Sequence, residues 1–162
     1  MTSAWRPIAE GTDGIRQILQ HLRVMKEYYG SLPSIRNAAL AIAGSLINND
    51  QAGQIARLTE YVRRAMVYQA DPWNSEFTQT PDVLLLQINR TGYARGDCDD
   101  HVLLFASLAE SLGIYAEIVG VIVAPGTTWN HVIVTAHPND EPVDIDLCAK
   151  EGVEPVYESK LQ

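Results

Sequence analysis

The chain has no surplus of positive charge, no long apolar run and almost no cysteine, and each shortage removes a class of protein. Twelve Lys and Arg stand against twenty Asp and Glu, a formal charge of −8. Binding a phosphate backbone takes clustered basic residues. No basic run or basic helical face occurs, so no nucleic-acid partner is expected. The longest apolar stretches, residues 102–106 and 121–125, fall far short of the roughly 20 residues that cross a bilayer, so no membrane partner is expected either. The opening Met-Thr-Ser-Ala-Trp-Arg-Pro lacks the charged start and apolar run of a secretory signal. Two cysteines do not make a disulfide framework. The expectation is a cytoplasmic, reduced protein in which each thiol is either inert or reactive.

What is present suits one folded domain. A chain of 162 residues, 46% hydrophobic and 20% charged, can bury a core without staples and is too apolar for long disorder. The first seventy residues carry helical spacing. Thr12 or Asp13 can cap a stripe of Ile15, Ile18, Leu19, Leu22 and Met25 that stops at Gly30. Ser34 can cap Ile35, Ala38, Ala39, Ile42 and Leu46, and Asp50 can cap Ile55, Leu58, Val62 and Ala65. These stripes are read as core. Residues 70–79 are turn-rich. Thr80-Pro81-Asp82 then opens a short helix over 83–88, followed by loop over 89–96. A helix over 99–112 is apolar on most sides and belongs at the centre of the fold. From there the period changes to strand at 115–123, 130–137 and 143–147, with turns at Pro125-Gly126 and Pro138-Asn139-Asp140. Helices first and a meander afterwards predict an α+β fold, a central helix packed on an antiparallel sheet of three or more strands.

The chemistry concentrates in Arg95-Gly-Asp-Cys-Asp-Asp-His101. Cys98 falls where the central helix begins, and unpaired N–H groups and the positive helix end there favour a thiolate. Asp97, Asp99 and Asp100 oppose it, so a cationic partner must help if Cys98 is reactive. Taken alone, Cys98 is equally a small residue in a tight helix start. His131 opens a strand and shares a face with Ile133 and Thr135 by alternation. If Pro138-Asn139 centres a hairpin, positions summing to about 277 lie opposite one another, which sets Asp146 beside His131 and Asp144 two residues along the same face. A carboxylate against an imidazole fixes its tautomer, and a Cys, a His and an Asp together make a relay that activates a thiol.

Gly96-Asp97-Cys98-Asp99-Asp100-His101 and the Leu-rich helix ending Leu112-Gly113-Ile114 resemble the core motif of the bacterial and phage transglutaminase-like superfamily. Tyr68-Gln-Ala-Asp71, Thr80-Pro81, and His131 with an aspartate fifteen residues on also look like it. The resemblance runs from about Leu58 to Leu147. It implies a papain-like core, with Cys98 as nucleophile, His131 as general base and acid, and Asp146 as orienter. Family members carry a tryptophan before that aspartate and a proline just after it, where this chain has Pro142 and Leu147, so Asp144 stays open as the alternative. On this division residues 1–57 are a helical extension, 58–148 the catalytic-type core and 149–162 a solvated tail.

The resemblance implies a cysteine-dependent acyl-transfer enzyme acting on amide bonds of a protein or peptide substrate, as a thiol protease, amidase or transglutaminase, with no cofactor. The alternative is a non-catalytic interaction protein that keeps the fold, such as a phage virion or prophage assembly component. Residues 97–101 are not read as a metal centre, because zinc sites show paired ligands at set spacings and no second pair exists. His101 is expected to pack or hydrogen-bond beside the site. Cys148 is a half-buried free cysteine or a second thiol near it. Trp129 can shield His131, and Trp73, Gln79 and the Cys98 N–H are candidate oxyanion donors.

Overall fold

The computed structural model describes residues 11–72, 77–122, 131–149 and 159–161, with 11–12, 122 and 159–161 as backbone only. The first helix, α1, spans Gly11–Gly30 and buries Leu19 and Leu22. The second, α2, is Pro33–Ala43. It begins two residues earlier than a Ser34 cap requires, because Leu32 is extended and Pro33 takes the first helical position, where a missing N–H costs nothing. Helix α3 is Gln51–Ala65, and Asp50 caps it by accepting from the Gly53 N–H at 2.9 Å.

The next element has no counterpart in the sequence reading. Strand β1 (Met66–Tyr68) pairs in parallel with β2 (Ala94–Gly96), Met66 against Ala94 and Tyr68 against Gly96. Residues 89–96 read as loop because three-residue strands show no alternation. Parallel strands need a crossover, which α4 (Pro81–Thr91) supplies before it ends on the left-handed Gly92. Directly after β2 comes α5 (Cys98–Ser111), buried from Asp99 to Ala109. Helices α1, α2, α3 and α4 all pack on it, and so does the sheet.

That sheet is antiparallel, in the order β5-β4-β3-β6, with β3 at Ala116–Ile122, β4 at His131–Ala136, β5 at Val143–Ile145 and β6 at Ser159–Leu161. The α+β expectation holds. Strand β6 lies in the segment read as tail, and it pairs with β3. Val132, Val134 and Ala136 join the main core with α5, while Ile133 packs with Val119 and Val121 on the opposite face.

The β4–β5 hairpin is displaced by one residue in its turn. Asn139 and Asp140 sit at φ of 52° and 65°, and the Glu141 N–H bonds the Pro138 carbonyl at 3.1 Å. Positive φ at both central positions is what a type I′ turn demands, and a proline ring fixed near −65° cannot occupy one. Paired positions therefore sum to 279 and not to about 277. The slip is two residues in register, so every side chain keeps its face.

Candidate active site

Helix α5 starts on a closed set of hydrogen bonds. The Asp97 carboxylate accepts from the Asp99 and Asp100 N–H groups at 3.0 and 3.3 Å, and the Asp100 carboxylate reaches back to the Asp97 N–H at 3.2 Å. Gly96 is needed in front of it, since a Cβ there would lie 2.3 Å from Asp100 Oδ2. Gln79 is fastened to the same box. Its N–H donates to Asp100 Oδ1 at 2.7 Å, and its side-chain amide donates to the Arg95 carbonyl at 2.6 Å and to Asp100 Oδ2 at 3.3 Å. Both amide hydrogens are thus engaged, so Gln79 is not available as an oxyanion donor in this arrangement. Trp73 and Trp129, the other side chains considered for the site, lie outside the described residues.

Burial dominates the electrostatics. It pushes the Asp100 carboxyl up to about 7 against the lowering effect of the Gln79 N–H, and raises Asp97, which Asp71 raises further. The Cys98 thiol is driven well above its usual range by burial, and the Asp99 and Asp97 charges add to that. The Val132 N–H on β4 meets the sulfur and acts the other way. Burial and the two carboxylates thus act against the thiolate that the helix start favours.

His131 opens β4. Its Nε2 lies 2.9 Å from Asp146 Oδ2, with the carboxylate buried. An ionised carboxylate only accepts, so Nε2 is the nitrogen that donates to it. The chain leaves β5 after Ile145, and this brings Asp146 to His131 although strict register would set Cys148 there. Asp144 faces Thr135 instead, accepting from its hydroxyl at 2.7 Å. Of the two aspartates left open by the sequence, Asp146 is the one at the imidazole. No hydrogen bond joins the Cys98 thiol to the His131 ring among the described residues; the sulfur meets the N–H of Val132, the residue next to His131 on β4.

Three contributions were not visible in the sequence. The Arg63 guanidinium, from the last turn of α3, donates to the Asp146 carbonyl at 2.7 Å, and Asp146 Oδ1 accepts from the Cys148 N–H at 3.0 Å. Nothing in the sequence separates Arg63 from Arg64 beyond helical phase. Tyr68 lies on β1 beside His101, with ring centroids 6.4 Å apart. His101 itself is buried and bonded through Nδ1 to the Asp97 carbonyl at 2.6 Å, and burial lowers its pKa, so it ties the helix start to the strand pair as a neutral ring. Cys148 is a free, half-buried thiol whose pKa burial and Asp146 push up to about 12. Among the described residues, no three His, Cys, Asp or Glu side chains are grouped to hold a metal ion.

A reactive-type cysteine on a helix start, packed on a strand that opens with a carboxylate-bonded histidine, defines a class, and comparison with known proteins agrees. The chain belongs to the transglutaminase-like superfamily, whose core profile matches residues 40–141. A crystal structure of a candidate cysteine protease from Cytophaga hutchinsonii has a similar fold, with a TM-score of 0.54 at 15% identity, over 78% of this chain and 42% of that one. This chain thus spans less than half the length of that neighbour. No curated protein matches. Membership supports a cysteine-dependent enzyme at the level of the family.

Proposed function

We propose that the protein is a cysteine peptidase or amidase that cleaves amide bonds of a protein or peptide through a thioester on Cys98. The observation that carries this reading is the His131–Asp146 pair at 2.9 Å, on the strand whose next N–H meets the Cys98 sulfur. Because burial keeps the resting thiol protonated, the proton leaves as the sulfur attacks and not beforehand. His131 Nδ1 takes it, with Asp146 stabilising the imidazolium, and returns it to the departing amine. The imidazole meets the thiol when substrate enters, in keeping with catalytic hydrogen bonds that tighten only in the complex. Water resolving the thioester gives hydrolysis, and an amine gives transamidation. We favour hydrolysis, in a reducing cytoplasmic setting that keeps both cysteines as thiols.

A second reading is a non-catalytic member of the family, such as a phage or prophage assembly component. One observation favours it: the thiol is raised by burial and two carboxylates and lacks a bond to His131. Labelling with a peptide vinyl sulfone separates the two. The enzyme reading requires labelling of the wild type, none in Cys98→Ala and a drop of about 10²-fold or more in His131→Ala. Labelling at equal rates in wild type and His131→Ala would support the second reading.

A further inference from the structure

Resting on the proposal that Cys98 is an acyl-accepting nucleophile, we infer that Tyr68 supplies the side-chain hydrogen bond to the oxyanion formed there. The strand pair that precedes the nucleophile sets where Tyr68 lies. Tyr68 pairs with Gly96, two residues before Cys98, so β1 carries it alongside the start of α5. Its ring lies 6.4 Å from that of His101, and His101 stands one turn beyond Cys98 on the same helix face. Tyr68 is 58% exposed, so its ring is not part of the core. Its pKa is raised, by burial first, and both cysteines and Asp97 lie within electrostatic reach of this phenol, which stays a donor.

Among the described residues, the other side-chain candidate for this role is already committed. Gln79 has both amide hydrogens engaged. Of the first N–H groups of α5, those of Asp99 and Asp100 are taken by Asp97, leaving the Cys98 N–H open among the described residues. One backbone donor with one side-chain donor makes a working oxyanion hole.

In the step concerned, the thiol proton passes to His131 as sulfur bonds to the acyl carbon, and the carbonyl π pair moves onto oxygen. The Cys98 N–H and the Tyr68 O–H donate hydrogen bonds to that oxygen without transferring a proton. The pair then returns to re-form the carbonyl, the bond to the leaving group breaks, and His131 gives its proton to an amine leaving group.

The test compares two reactions of the same sulfur. Acylation by 4-nitrophenyl acetate passes through an oxyanion, whereas alkylation by iodoacetamide is a direct displacement and does not. Tyr68→Phe keeps the ring on His101 and removes only the hydroxyl. The expected result is acylation slowed by about 10²-fold and alkylation within twofold of wild type. Acylation at the wild-type rate overturns the proposal, and so does an equal fall in both reactions, which would place Tyr68 on the thiol itself. If Cys98→Ala releases 4-nitrophenolate as fast as wild type, the nucleophile reading has failed first, and that result is distinct from either of the others.

Discussion

Asp146 is held at three points: by His131 on one carboxylate oxygen, by the Cys148 N–H on the other, and by Arg63 on its carbonyl. An orienting carboxylate works only if its own position is fixed, so Arg63 is predicted to matter without touching substrate. Asp146→Ala is expected to lower kcat by at least about 10²-fold, in line with loss of a group that fixes a catalytic imidazole, while Asp144→Ala, which loses the Thr135 bond and leaves the imidazole pair intact, stays within twofold. Arg63→Ala should cost about 1.5–3 kcal/mol of stability for a charge-assisted bond and lower kcat severalfold. Arg64→Ala, whose guanidinium is exposed and paired with Glu60, should do neither. Steady-state kinetics beside urea denaturation on the four variants would decide this. Asp144 and Asp146 were both put on the His131 face because a register error of two residues leaves the face unchanged, and the exit of the chain from β5 after Ile145 then brings Asp146 to the imidazole. Arg63 was illegible, and Tyr68 was marked only as part of a family-like motif, because their roles come from which elements pack together and a single exposed Arg or Tyr has no local signature of that.

At the scale of elements, the close approach of α1 and α5 fixes where the nucleophile helix lies. Gly30 ends α1 against Glu110, and a Cβ on Gly30 would lie 2.9 Å from the Glu110 Cβ. Buried Lys26 draws the same helix to the sheet, 2.9 Å from Glu110 Oε1 and 2.8 Å from the Ala116 carbonyl. Gly30→Ala is therefore predicted to destabilise by about 1–3 kcal/mol through overpacking, read as a lower urea midpoint at unchanged m-value. The sequence marked Gly30 as a helix stop, and packing gives it a second duty. The long elements were legible because each presents an apolar stripe or alternation over many residues. Strands β1 and β2 were not, since three residues hold too little pattern and their pairing is set by the α4 crossover.

Across the whole molecule, one buried carboxylate links pH to stability. The Asp100 carboxyl is raised from 3.8 to about 7 by burial. A folded state that binds the proton more tightly than the unfolded chain gains most at low pH and loses that gain as pH rises between those two values. Asp97, raised for the same main cause, acts in the same direction. The expected outcome is a fall in Tm between about pH 4 and pH 7 that is shallower in Asp100→Asn, measured by calorimetry across that range. A difference in slope is the readout, because the asparagine also forfeits one acceptor and lowers the whole curve. An identical slope in both proteins would show that Asp100 titrates normally.

The bond from α3 to the Asp146 carbonyl also bears on how the chain tolerates trimming. A fragment running from β1 through the hairpin would retain the sulfur, the imidazole and the carboxylate, yet it would lack the guanidinium that anchors the third of them. Minimal versions of this scaffold must therefore keep the helical half, because its last turn reaches across the fold to brace the reactive end.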